Sequence, residues 1–230
     1  MKNIFITLKR KSLLIVLAVL LVAGAIYGFS SVRSSAMPKP EYTIVIDAGH
    51  GGRDGGAIGK TTGTSESELN LKYAKMLQSL CEEFGIGVVM TRENMQGLYD
   101  ENASNKKRSE MEKRRNIING SGADLMVSLH MNSFPLSSCE GAYVFYAKDN
   151  DEGFRLAKGV QNSLCHSFSS ARDVVTVGDY FVLNVAQMPA ILIECGFLSN
   201  PTEEQLLLSD EYCESFCYSV LAGILSYFEM

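Results

Sequence analysis

Histidine is scarce in this sequence, with three residues in 230. His50, His130 and His166 therefore each call for an account of their own. Neither H-E-x-x-H nor an H-x-x-E pair occurs, which excludes the common zinc peptidase motifs. No G-x-x-x-x-G-K-[ST] is present, and no G-x-G-x-x-G opens a helix, so the glycines carry no phosphate or dinucleotide signature. Positive charge is not in excess. The net charge is −5, which supplies no basic face of the kind duplex-binding proteins show, and no nucleic-acid partner is expected. Cys-x-x-Cys pairs are missing as well. The six cysteines, at 81, 139, 165, 195, 213 and 217, follow no short repeating spacing. A domain of this size does not need disulfide staples, and Cys213 and Cys217 would share one face of a single helix, a poor setting for a bridge. Mostly free, buried thiols are expected. Internal repeats are absent.

What is present is an ordinary globular balance, 46% hydrophobic and 20% charged, in a length that suits one catalytic domain with a short appendage. The appendage is at the front. Lys2, Lys9, Arg10 and Lys11 precede an uncharged run from Leu13 to Phe29. Residues 1–29 read as a signal peptide or a single membrane anchor. The positive flank should stay in the cytoplasm, which places the rest of the chain outside. Residues 30–40 form a Ser/Pro-rich linker, and the folded domain is expected over 41–230.

Within that domain Tyr42 to Asp47 reads as a buried strand running into the glycine-rich loop Ala48-Gly49-His50-Gly51-Gly52. Leu69, Tyr73, Met76, Leu77, Leu80 and Phe84 recur at helical spacing. Strands are expected at 88–91, 125–129, 142–146, 180–183 and 190–193, with helices at 108–119 and 152–168. The segment from Glu203 to Phe228 reads as a closing helix in one or two pieces, and Asn94 to Lys107 as a polar loop. Strands alternating with helices argue for an α/β sheet covered on both faces.

Three apolar strands end in a polar group: His50 follows the first, His130 ends the third and Glu194 ends the last. In open α/β sheets ligands gather beyond the carboxyl ends of the strands, a geometry that brings such residues together. Singly, His50 also suits an ordinary loop, His130 a hydrogen-bonded core histidine, and Glu194 an ion pair with a nearby arginine. His166 falls inside a helix without acidic or glycine-rich context and reads as a helix-surface residue. Ser65-Glu66-Ser67-Glu68 fits a capping box, with Ser65 as N-cap and Glu68 folded back on the backbone. Glu66 is then free either to complement the helix dipole or to bind a metal.

These residues resemble the N-acetylmuramoyl-L-alanine amidases of the Amidase_3 type. Ile46-Asp47-Ala48-Gly49-His50-Gly51-Gly52 is similar to their opening motif and Glu66-Ser67-Glu68-Leu69-Asn70-Leu71 to the second. Ser128-Leu129-His130-Met131-Asn132 resembles the third. Met188 to Asn200, with Glu194-Cys195-Gly196-Phe197 at its centre, resembles the fourth and is highly specific. The resemblance spans residues 41–230 in the correct order, and its layout is nearest the spore-cortex, CwlD-like branch. Ala48 stands where the family usually has proline, and Glu68 where it usually has aspartate. The resemblance implies a single mixed, mostly parallel sheet flanked by helices. It makes His50, Glu66 and His130 the ligands of a Zn2+ cofactor and Glu194 the catalytic carboxylate. The implied substrate is peptidoglycan, cut at the amide between the lactyl group of muramic acid and L-alanine. Two imidazoles and one carboxylate are a familiar catalytic zinc set. Two rivals stand beside this reading: a cysteine amidase using Cys195 beside His130, and a metal-free wall-binding or scaffold protein. After Tyr146 there is little room for the regulatory insertion some relatives carry, so a separate activating or positioning protein partner is expected.

Overall fold

The computed structural model describes residues 40–229. The expected signal or anchor and all of the linker but Pro40 lie outside the described residues. No helix among the described residues is long and apolar enough to cross a membrane.

The elements follow in the order β1 (Thr43–Ala48), α1 (Glu66–Glu83), β2 (Gly87–Met90), α2 (Lys106–Gly120), β3 (Leu125–Asn132), β4 (Tyr143–Tyr146), α3 (Asp151–Ser167), β5 (Thr176–Val177), α4 (Phe181–Val185), β6 (Ala190–Phe197), α5 (Pro201–Leu208) and α6 (Asp210–Phe228). The strands form one six-stranded sheet in the order β2-β1-β3-β6-β4-β5. All pairings are parallel except β4 with β6. The mixed, mostly parallel α/β sheet expected from the sequence is therefore the one observed. β1, β3 and β6 lie at its centre and read as nearly unbroken apolar runs because both of their faces are covered.

Alternation along the strands splits the core into two layers. Ile44, Ile46, Leu125, Val127, Leu129, Ile191 and Ile193 face a layer built with Leu69, Tyr73 and Leu77 of α1, Leu156 and Val160 of α3, and Phe216, Val220 and Ile224 of α6. Val45, Met126, Leu192 and Phe145 face a smaller layer closed by Ile118 of α2 and by Val182 and Leu183 of α4. Fully burying each such side chain contributes about 1.5–3 kcal/mol. The second face also carries Asp47, Ser128, His130, Glu194 and Tyr143, which share its strand parity.

The segment expected as a strand at 180–183 is instead the short helix α4, and a two-residue strand, β5, precedes it. Val182 and Leu183 are adjacent and both buried, while Phe181 and Asn184 on either side are exposed. That is one face of a helical turn, and a short apolar run does not distinguish the two by periodicity. The closing helix is in two pieces. Asn200 caps the first through its side chain and Ser209 caps the second. All six cysteines are free.

Candidate metal centre

β1 delivers the chain into a loop in which His50 has φ 60°, the left-handed region that side chains seldom occupy. The turn is held from beneath by two buried arginines. Arg92, 4% exposed, donates to the carbonyls of Ala48 and Gly49 and also to that of Ser67. Arg114, 1% exposed, donates to the carbonyls of Ala48 and His50 and to the carboxylates of Asp47 and Glu110. Asp47 in turn accepts from the hydroxyls of Thr91 and Ser128, each at 2.7 Å. Burial alone would push the Asp47 carboxyl up, but the Arg114 charge and the two hydroxyls hold it below the usual range.

Glu66 opens α1 and turns inward, 5% exposed. Its Oε1 lies 3.0 Å from His50 Nε2 and 2.9 Å from His130 Nδ1. Its Oε2 accepts the Ala57 N–H at 2.8 Å. Each of the three residues offers one ligand atom, and these atoms all lie within 4.8 Å of one another. Close approach dictates one glycine here, because a Cβ on Gly49 would stand 2.3 Å from the His130 ring. Burial raises the Glu66 carboxyl, but the two imidazoles outweigh it and hold the group far below the usual carboxylate range. Burial lowers His50, while Glu66 and Asp54 more than compensate and hold it above its ordinary value. Asp54 Oδ1 is 2.9 Å from His50 Nδ1, near enough for an ion pair but off the line of a hydrogen bond. Lys107 holds the other Asp54 oxygen at 2.6 Å. Opposed by burial but drawn down by Lys107 and His50, the Asp54 carboxyl stands at about 2.

The expected capping box does not form. Ser65 occupies the N-cap position, but its side chain makes no cap bond and its hydroxyl contacts that of Ser67 at 3.1 Å. The first helical N–H groups are taken instead by the backbone of the preceding loop: Glu66 donates to Ala57 O and Ser67 to Gly55 O. Glu68 is left exposed. With the helix end already satisfied by backbone, a side-chain cap has nothing left to supply. Glu66 is nonetheless the carboxylate that faces the histidines.

Glu194 lies beside His130 in the β3–β6 register. It is 8% exposed, and its Oε2 has no hydrogen-bond partner. Burial pushes its carboxyl up to about 7. Cys195, the next residue, points to the opposite face, is fully buried in the larger core layer, and has its thiol pushed well above the usual range by that burial. It is neither exposed nor ionised enough to act as a nucleophile. His166 is exposed near the end of α3 and bonds the carbonyl of Asn162, away from the cluster. A cavity of about 110 Å³ opens beside His50 and His130, with Lys107, Met111 and Tyr180 in its walls.

Asp54, Arg92 and Arg114 were not singled out by the sequence. The one signal was the acidic residue inside a glycine-rich loop. The arginines look like ordinary charges in polar segments.

Residues 44–226 match the family Amidase_3, described as N-acetylmuramoyl-L-alanine amidase. The germination-specific N-acetylmuramoyl-L-alanine amidase of Bacillus subtilis is 34% identical over 209 residues, 88% of this chain and 87% of that protein. The CwlD amidase of Clostridioides difficile, solved in complex with the GerS lipoprotein, superposes with a TM-score of 0.78 at 36% identity, over 82% of this chain and 99% of that one. The catalytic domain of CwlV from Bacillus (Paenibacillus) polymyxa var. colistinus gives 0.73 at 26% identity, over 82% and 98%.

Proposed function

This chain belongs to the Amidase_3 family of N-acetylmuramoyl-L-alanine amidases, and from that membership we propose a zinc-dependent hydrolysis with His50, Glu66 and His130 as the metal ligands and Glu194 as general base. The bond cut is the amide between the lactyl group of N-acetylmuramic acid and L-alanine in peptidoglycan. The setting is the spore cortex or its germination, in keeping with the germination-specific and CwlD relatives.

One observation carries the metal reading: His50, Glu66 and His130 each offer a ligand atom, and the three atoms lie within 4.8 Å of one another. Two neutral imidazoles and a carboxylate suit zinc and leave a position open. Bound zinc polarises a carbonyl and lowers the pKa of water from about 15.7 toward about 7. The chain's own residues do the rest. Arg92 and Arg114 fix the loop that aims His50, and Asp54 braces the far side of that ring. Glu194 accepts the proton of the attacking water through its free oxygen. As the carbon–nitrogen bond breaks, the same carboxyl returns that proton to the alanine amine. A wall-binding protein without activity would need neither the convergent donors nor the partnerless buried carboxylate, so that reading is not favoured.

We further propose that residues 1–29 export or anchor the enzyme so that it faces the wall or cortex, and that a protein partner positions or activates it. The CwlD relative, solved with a lipoprotein, lends support to the partner. Metal analysis of the purified protein, with mass spectrometry of muropeptides before and after chelation, tests the core of the proposal. One zinc per chain and release of intact stem peptides that stops on chelation are expected. Peptide release undiminished without metal would overturn it.

A further inference from the structure

The cleft continues past Glu194. Tyr143 is directly opposite Glu194 in the antiparallel β4–β6 ladder, so both side chains lie on the face that carries His130. From Tyr143 a row of rings crosses the sheet: Phe145 at 4.7 Å, Phe197 at 6.3 Å, and Tyr180 at 5.1 Å from Phe145. Asn132, two residues beyond His130, donates to the Tyr143 hydroxyl at 2.8 Å and fixes that ring. Arg172 closes the row. Its guanidinium carbon lies 4.5 Å from the Tyr143 centroid and 5.6 Å from that of Phe197. Its backbone N–H bonds the carbonyl of Ala142, the residue before Tyr143, at 3.0 Å. Arg172 is exposed, and it joins none of the ion pairs among the described residues. Lys107, on the His50 side, differs in that Asp54 already holds its ammonium.

We infer that Arg172, stacked on Tyr143, is a carboxylate-binding subsite for the stem peptide, and that the substrate lies with its peptide running across β6 and β4 and its glycan on the other side of the scissile amide. The inference rests on the amidase reading and extends it to substrate polarity. The chemistry is asymmetric. On the glycan side the lactyl carboxyl is consumed in the amide and the sugars are uncharged. On the peptide side the first residue after L-alanine, a γ-linked D-glutamate, carries a free α-carboxylate. A guanidinium near this site therefore has a partner in one direction only. Opposed β-carbons in such a ladder are about 5 Å apart, and Arg172 lies one ring beyond. Two to three extended residues, at about 3.5 Å each, cover that span. A planar fork already stacked on a ring suits bidentate carboxylate recognition.

The test uses the full-length, zinc-loaded protein and two synthetic disaccharide tripeptides, one with the glutamate α-carboxylate free and one with it converted to the neutral amide. The wild type should cleave the acid with a KM about 10-fold or more below that for the amide, as expected for loss of a charge-assisted contact. Arg172→Gln should raise KM for the acid to that of the amide and leave kcat within about 2-fold, and Arg172→Lys should restore part of the difference. Equal KM values for both substrates in the wild type would overturn the subsite alone. So would an Arg172→Gln loss that falls equally on both substrates, which would mark a packing role. Cleavage of neither substrate by the wild type, whether purified alone or recovered from cells with its bound partner, would overturn the amidase reading and the subsite with it.

Discussion

Replacing Arg114 by alanine should destabilise this protein by about 3–5 kcal/mol, the cost of breaking a buried ion pair by removing one partner. Arg114 and Asp47 are each 1% exposed and Glu110 is 2% exposed. Without the guanidinium, two buried carboxylates lose the cation that contacts both. Arg92 cannot take its place, because its donors are committed to the carbonyls of Ala48, Gly49, Ser67 and Asn94. Against a typical total of about 5–15 kcal/mol, the loss is a large fraction of the stability. The His50 loop should suffer as well. His50 at φ 60° carries a left-handed penalty of about 1–2 kcal/mol, which the arginine bonds to the loop carbonyls offset. Arg114→Lys keeps the charge but loses the fork, so a loss of about 1–3 kcal/mol is expected from the acceptors left unpaired. Urea unfolding in chelator, where zinc does not contribute to stability, measures the first effect, and zinc titration of the folded variants measures the second. An alanine variant within about 1 kcal/mol of wild type, or a lysine variant no better than alanine, would refute the reasoning.

Glu66→Ala should abolish tight zinc binding, while Glu68→Ala, at an exposed position outside any cap, should change stability by no more than about 0.5 kcal/mol; equal zinc losses in the two variants would overturn the assignment. Stability should also fall in acid. The folded Asp47 carboxyl lies below its ordinary 3.8, so its contribution is complete above that value and is lost as pH drops toward the folded one. Acid titration followed by circular dichroism should show this, and Asp47→Asn should flatten the dependence. Protein recovered from cells should begin either at its original N-terminus in the membrane fraction or after a cleavage near the linker; full-length chain soluble in the cytoplasm would contradict both forms of placement.

Much of the site could be read from the sequence because its chemistry interrupts strong patterns. His130 and Glu194 break apolar runs, and His50 sits among glycines that have no phosphate motif to serve. Glu66 was legible for a partly mistaken reason: the capping box that set it apart from Glu68 is replaced by backbone bonds from the Gly55–Ala57 loop. What stayed hidden depends on contacts far apart in the chain. Arg114 reaches Asp47 across 67 positions, and nothing in its polar helix separates it from the exposed Arg115 beside it. Arg172 meets Tyr143 because the chain returns after α3 to lie beside the start of β4, where the Arg172 N–H bonds the Ala142 carbonyl, a contact that local periodicity does not reveal. The α4 segment reads as a strand in the sequence because a short apolar run fits either period.

The central claim is tested most directly by measuring zinc content and muropeptide turnover on the same preparations of wild type, His50→Ala, His130→Ala and Glu194→Gln. The two histidine variants should lose the metal and the activity together. Glu194→Gln should keep its fold and most of its zinc, while turnover falls by about 10²-fold or more, because the amide can hydrogen-bond water but cannot take its proton. Normal turnover by Glu194→Gln, or zinc loss as complete as in the histidine variants, would contradict the assignment of Glu194 as the base.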